Sequence, residues 1–519
     1  MSQRYRMSQP CLDEGGPEGD DSVEPGVWRY AQAQRLSVII DAESYFAHMQ
    51  QAMLKARRRI MLIGWDFDTR IHLTKGRRWY ERPKDSSYPS RLGSFFLWLA
   101  RHRDGLDILV LKWGLSIVQF AARGSMALDI ARMWPKRQIS FKFDTQHPLG
   151  CSHHQKIGVL DDSLAVCGGI DLTHDRWDTR EHREHDERRR RPHGRLYGPW
   201  HDITMMMEGE VAGALADLCR SRWECAGGKT YPQLDHEEQE SIWPDKLTAD
   251  FEDVEVGISR TRAKYNDVTP INEIETLVLA QIAGAREFLY IENQYFTSRK
   301  IAEAIVERLD EDDPPEIVLV HPIHADGWLE QQAMDHARSA LARMIAANDP
   351  KKRFSLYVSW AGETPIYVHA KLMIVDDRIL RIGSANMNNR SLGLDSECDV
   401  FIDCERPANA GRDIETCIRT IRVNLLAEHC GVEPEVMDRR LKETRSMHQA
   451  IAQLGSSGER QLRPFEIPEL GEIEQTLAGS ELLDPEKPED MFEPYAHGGL
   501  FRDGSRLGRL RDRLKRKRK

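Results

Sequence analysis

The segment HHQKIGVLDD, residues 153–162, returns 215 positions later as VHAKLMIVDD, residues 368–377. Each copy holds His-x-Lys, four residues, then Asp, and each runs on to a Gly-rich turn. The flanks repeat as well. ISFKF, 139–143, and FSLYV, 354–358, stand at the same offset. DILVLKW from Asp107 answers EIVLVHP from Glu316, and RRRIMLIGWDFD answers REFLYIENQYF. A helical pattern precedes each of these, DAESYFAHMQQAMLKA in one half and INEIETLVLAQIAGA in the other. Repetition of a whole order of elements means two similar units. The apolar runs IGVL and LMIV suit strands buried on both faces. The expected fold is α/β (α+β): two similar lobes, each a mixed β-sheet flanked by helices, with the active site at the lobe interface.

The repeat sets the domain map. Residues 1–30 are polar, acidic and Gly-rich, the composition of a disordered segment. The first lobe is expected over 31–228, a linker over 229–252 and the second lobe over 253–430. Residues 431–519 read as helix, then a Pro-rich acidic extension, then the basic tail RLGRLRDRLKRKRK. The net charge of -10 argues against a general nucleic-acid binder, because phosphate attraction needs a basic field. The nine cysteines are odd in number and show no zinc-finger spacing, which reads as reduced thiols in a cytoplasm-like compartment. The N-terminal stretch lacks a signal-peptide core, and no apolar run reaches the length of a membrane span. A cytoplasmic monomer is expected, peripheral on the inner face of the membrane.

The chemistry follows from residue type. His154 and Lys156, like His369 and Lys371, stand two apart and share a face of extended chain. An imidazole beside an ammonium makes an anion site with a nucleophile in it. Behind each copy stands D-x6-G-[GS]-x-[DN]: Asp161, Gly168, Gly169 and Asp171 in the first, Asp376, Gly383, Ser384 and Asn386 in the second.

This doubled pattern resembles the phospholipase D superfamily, whose signature is H-x-K-x4-D followed by G-[GS]-x-N, present twice. The resemblance runs from about residue 37 to 430. GGIDL and RWD after the first motif, LYIENQYF at 289–296, PWHDITMMMEG from Pro199 and DSE at 395–397 are similar to segments of the true phospholipase D branch. Asp171 replaces the usual Asn, a departure the eukaryotic-type branch shares.

The resemblance implies that both motifs meet over one phosphate. One histidine attacks phosphorus; the other protonates the leaving alcohol and then activates water. His154 is assigned as nucleophile and His369 as general acid and base, and near-symmetry leaves the reverse open. Lys156, Lys371 and Asn386 are expected on the non-bridging oxygens, with Asp171 and Ser384 beside them. Asp202 and Glu397 are the expected carboxylates that fix the imidazole tautomers. Asp161 and Asp376 complete the catalytic motif, with bracing of the backbone or lobe interface as their more natural role. No metal or other cofactor is required, because the lysines supply the positive charge. Glu292, Asn293, Gln294, Tyr295 and Trp177 are expected to line a substrate groove.

The expected activity is a phospholipase D: hydrolysis of glycerophospholipids to phosphatidic acid and an alcohol, with transphosphatidylation as a second outcome. The alternatives are a cardiolipin synthase-type phosphatidyltransferase and a non-catalytic lipid-binding protein. The expected partners are a phospholipid surface and, through the basic tail, an anionic membrane. Superfamily nucleases are typically one short lobe that dimerises, which a two-lobed acidic chain fits poorly.

Overall fold

A computed structural model describes residues 24–75, 87–114, 125–148, 150–234, 240–266, 268–324, 328–455 and 458–468. The first half supplies β1 (Arg29–Ile40), β2 (Arg59–Gly64), β3 (Asp107–Trp113), β4 (Ile139–Asp144), β5 (Ile157–Leu160), β6 (Leu164–Gly168), β7 (Trp200–His201) and β8 (Ile203–Glu208). The second half supplies β9 (Phe251–Arg262), β10 (Ile271–Asn272), β11 (Phe288–Asn293), β12 (Glu316–Val320), β13 (Phe354–Ala361), β14 (Thr364–Pro365), β15 (Tyr367–Val368), β16 (Lys371–Val375), β17 (Ile379–Gly383), β18 (Glu397–Asp403) and β19 (Arg460–Pro464).

The pairing order is the same in both halves. In the first, β4, β3 and β2 are parallel, and β5, β6, β8 and β1 follow antiparallel. In the second, β13, β12 and β11 are parallel, and β16, β17, β18 and β9 follow antiparallel. The halves join where β1 pairs antiparallel with β9, from Arg29 opposite Ile258 to Leu36 opposite Phe251. The result is a large mixed sheet flanked by helices.

Burial explains the continuous apolar runs. Strands β5, β6, β8, β12 and β16 are buried along their whole length. One apolar cluster fills the space between the halves, with Met61, Val159 and Met205 from the first and Val256, Ile374 and Val400 from the second. Two further clusters back the sheet on its outer sides. One joins β2 and β3 to the helices Ala42–Lys55 and Leu92–His102. The other joins β11 and β12 to Arg299–Leu309. Leu→Ala in such a core costs about 2–5 kcal/mol.

The expected boundaries need correction at three places. The linker expected over 229–252 gives up its last two residues to β9, where Phe251 pairs with Leu36. The segment expected to be disordered to residue 30 is ordered from its turn at 24–28 into β1, because Trp28 N–H donates to the Ile258 carbonyl. The extension expected from 431 is part of the body as far as β19, which pairs antiparallel with β13. Residues 1–23, the remaining Pro-rich stretch and the basic tail lie outside the described residues. Seven cysteines are free thiols, but Cys225 is disulfide-bonded, contrary to the all-reduced expectation. Among the described residues no helix is long and apolar enough to cross a membrane.

Candidate active site

The two motifs end up at the junction of the halves because each is clamped by backbone from the other. His154 N–H donates to the Ser396 carbonyl at 2.9 Å, and His153 bridges to Ser396 in parallel register. His369 N–H donates to the His201 carbonyl at 2.8 Å, where β15 pairs with β7. These contacts are the same contact made twice, with the halves exchanged.

The side chains cross over in the same way. His154 Nδ1 lies 3.0 Å from Glu397 Oε1, a carboxylate of the second half. His369 Nδ1 lies 2.7 Å from Asp202 Oδ2, a carboxylate of the first. Both carboxylates are held rigidly. Glu397 accepts Ser384 Oγ–H at 2.5 Å and Ser391 Oγ–H at 2.6 Å. Asp202 Oδ1 accepts Ile203 N–H at 2.8 Å. Gly169 makes room for it, since a Cβ there would stand 2.1 Å from Asp202 Oδ1. The hydrogen bonds of both rings run through Nδ1.

Lys156 and Lys371 fold back alike. Their ammonium groups donate to the carbonyls of His154 and His369, at 2.8 and 2.5 Å. Lys156 also lies 3.5 Å from Asp171 Oδ2, and Lys371 donates to Gln294 Oε1 at 2.9 Å. Asn386 is buried, and its Oδ1 has no hydrogen-bond partner among the described residues. Aromatic rings frame the pair. Trp65 meets His154 edge-on at 6.3 Å, and Trp200 lies 5.2 Å from His369 and stacks on Tyr367 at 4.5 Å.

Lys156 and Lys371 are buried beside the two imidazoles. Burial, then Lys156 and Lys371, holds His154 well below the usual imidazole range. Burial, then Lys371, Arg176, Lys156 and His154, does the same to His369. Burial pushes Lys371 down to about 7, Asp202 up to about 6 and Glu397 up to about 8. That each imidazole feels the other motif's lysine follows from their convergence.

Several expected residues have other work. Asp161 is not at the centre: its carboxylate accepts the backbone N–H groups of Arg57, Arg58 and Arg59 at 2.6–2.8 Å. Asp376 does the same for Arg286, Glu287 and Phe288 at 2.8 Å. Both stand past the far end of their strands, where side chains brace the neighbouring strand's start. The catalytic placing of these two is corrected to a bracing one. Glu292 is not in a groove. Strand alternation turns it inward with Tyr290, where it is fully buried against His201 and His429. Asn293 Oδ1 accepts the N–H groups of Tyr295 and Met387 and so shapes the loop rather than a groove. Trp177 lines a separate cavity with Arg70, Lys75, Arg91 and Arg191, under Lys75 at 4.1 Å. Gln294 reaches the site, and Tyr295 is half-buried beside it. Sequence reading missed Ser391 and Trp200; their neighbours in the chain, DSE and PWHD, were the available signal.

Fold and site together define a class: a duplicated α/β protein whose two His-Lys motifs are each clamped to the opposite half at the junction of the two. Residues 278–412 match the family model described as "Cardiolipin synthase, PLD-like domain". The chain is 24% identical over 483 residues to phospholipase D A of Dictyostelium discoideum, covering 79% of this chain and 37% of that protein. It is 25% identical over 502 residues to phospholipase D1 of Schizosaccharomyces pombe, covering 78% and 36%. It is 24% identical over 541 residues to phospholipase D alpha 1 of Zea mays, covering 77% and 66%. The chain thus spans little more than a third of the first two relatives. In fold it is similar to a solved phosphatidylserine synthase from Haemophilus influenzae, with a TM-score of 0.51 and 10% identity over 82% of this chain and 96% of that one. These likenesses all point to the phospholipase D superfamily.

Proposed function

We propose that the protein is a phospholipase D, cleaving the distal phosphodiester of glycerophospholipids through a phosphohistidine. The observation that supports this most directly is the exchange of carboxylates, Glu397 onto His154 and Asp202 onto His369. It sets the Nδ1 of each imidazole on a carboxylate of the opposite half, which would leave the Nε2 atoms for an in-line double displacement. In the first step His154 Nε2 attacks phosphorus and the P–O bond to the headgroup alcohol breaks. His369, protonated when the phosphate arrives, gives its Nε2 proton to the departing oxygen. In the second step His369 takes a proton from water, which displaces His154 and leaves phosphatidic acid. Lys156, Lys371 and Asn386 stabilise the non-bridging oxygens as charge builds. Gln294 sets the position of Lys371, and residues 31–228 and 253–430 act as the two lobes of one site.

The match to a cardiolipin synthase domain supports a second reading, in which a lipid alcohol replaces water in the second step. Mass spectrometry of products from mixed phospholipids, with and without added alcohol, separates the two. His154→Ala and His369→Ala are each expected to lower turnover by several orders of magnitude. Near-normal turnover of phosphatidylcholine by either folded variant would overturn the shared-site reading. The membrane partner is proposed on sequence alone: deletion of residues 501–519 is expected to weaken binding to anionic vesicles, and unchanged binding would remove that role.

A further inference from the structure

Directly behind Asp202 lies a second group of buried ionisable residues, which the phosphoryl-transfer chemistry does not use. Asp41, His182, His201 and Glu428 come together from four segments, and one ligand-type atom from each lies within 4.8 Å of all the others. All four residues are at most 5% exposed. The contacts around the group are His182 Nε2 to Glu428 Oε1 at 3.0 Å, His182 Nε2 to Asp41 Oδ2 at 3.2 Å, His201 Nδ1 to Glu428 Oε1 at 3.2 Å and His201 Nδ1 to Asp41 Oδ1 at 3.4 Å. Asp41 Oδ2 and His201 Nδ1 are buried without an aligned hydrogen-bond partner among the described residues. Two buried polar atoms without a partner in one cluster call for an explanation.

We propose that Asp41, His182, His201 and Glu428 form a closed tetrahedral site for one divalent first-row cation, Zn²⁺ by its donor set. The dimensions fit. Bonds of about 2.0–2.1 Å in a tetrahedron put ligand atoms about 3.3 Å apart, and the four histidine–carboxylate contacts here run from 3.0 to 3.4 Å, with Asp41 offering one oxygen to each histidine. The outer contacts fit as well. Ligating histidines hand their second nitrogen to a carboxylate. Here His182 Nδ1 meets Asp178 Oδ2 at 3.1 Å, and His201 Nε2 meets Glu292 Oε2 at 2.8 Å. Glu428 Oε2 accepts Arg180 Nε–H at 2.5 Å, and Asp41 Oδ1 accepts the Asp202 N–H at 3.1 Å.

Charge gives an independent reason. Asp41, Asp178, Glu292 and Glu428 are four anions, all buried in contact with this group. Among the described residues, Arg180 on Glu428 and Arg189 on Asp178 are the permanent cations that touch them. With neutral histidines the group is two positive charges short, which one divalent ion makes good. Without an ion, two extra protons on His182 and His201 must serve. Backbone geometry points the same way. Asp41 and His182 both hold positive φ, 65° and 41°, at a cost of about 1–3 kcal/mol each. The site ties the two halves together and fixes Asp41 against both ends of the Asp202 peptide, Asp41 N–H donating to the Asp202 carbonyl at 2.8 Å. Its role is to hold the strand that orients His369, and it stands whatever the substrate is.

The test is metal content and metal-linked stability of the full chain. Plasma mass spectrometry of protein purified without chelators is expected to find close to one zinc per chain. Protein made in metal-depleted medium is expected to melt lower and to recover with one equivalent of Zn²⁺, and with Co²⁺ to show the visible absorption of tetrahedral cobalt. Asp178→Asn, outside the ligand set, is expected to fold and to weaken Zn²⁺ binding by about 10- to 100-fold. If that variant fails to fold, titration of the wild type against a chromophoric chelator decides the matter. Metal-free chain whose melting does not respond to Zn²⁺, Co²⁺ or Mn²⁺ overturns the proposal and leaves the protons to balance the group.

Discussion

Replacing Asp202 with Asn probes the crossed carboxylates with almost no change of shape. Asp202 Oδ1 accepts the Ile203 N–H at 2.8 Å, while Oδ2 stands 2.7 Å from His369 Nδ1. In the variant the amide oxygen must stay on the Ile203 N–H, because the amide nitrogen would meet a second donor there. The amide NH2 then points at His369 Nδ1, which has to become the acceptor. The ring proton moves to Nε2, so neutral His369 can no longer take a proton from water at that atom. Restoring the productive tautomer leaves two donors face to face in a buried site, at about 1–3 kcal/mol. Loss of the charge-assisted bond to the imidazolium removes about 1.5–3 kcal/mol more. The sum corresponds to a fall in kcat of roughly 10²- to 10⁴-fold. Single-turnover cleavage of short-chain phosphatidylcholine, with melting temperature as the fold control, measures it. A folded variant within tenfold of wild type would refute the tautomer argument.

Other outcomes follow from the same contacts. Asp161→Asn turns one side of the brace into a donor and so breaks one or two of the three bonds to Arg57, Arg58 and Arg59. Urea unfolding is expected to show a loss of about 1–3 kcal/mol, with kcat little changed; a collapse of kcat in folded protein would restore a catalytic role. Glu397 is a carboxyl raised by burial to about 8, so folding takes up a proton there between its unfolded value of about 4.3 and about 8. Its contribution to stability is fully present below that window and is lost as pH rises through it. Glu397→Gln removes this dependence, and its stability relative to wild type is expected to rise by about 2 kcal/mol from pH 6 to pH 7.5. A constant difference in urea unfolding free energy across that range would show that the carboxylate is already ionised.

The duplicated order of elements was legible because it is written locally. IGVL and LMIV are apolar along their whole length, and β5 and β16 are buried along theirs. His154, Lys156, His369 and Lys371 were legible for the same reason, each pair fitting within three residues. Asp202 and Glu397 came from their place beside recognisable segments, and their crossing onto the opposite half could not be read from spacing. The groove assignment at Glu292 failed on direction. A strand's alternation sends Glu292 to the face opposite Asn293, and which face looks inward depends on pairing with β16. The Asp41–Glu428 group was invisible in sequence, since its members come from four separated segments, Asp41 reaching His201 through the β1–β8 pairing.

Everything in the mechanism rests on one phosphorus atom serving both motifs. Rapid acid-free quench of the His369→Asn variant with a short-chain substrate, followed by intact-mass and peptide mapping, counts the covalent adducts. The account predicts one phosphatidyl group per chain, on the peptide carrying His154, with its release by water slowed. Release from His154 at the wild-type rate, with much of the wild-type turnover retained, would contradict it, since each motif would then work on a phosphate of its own.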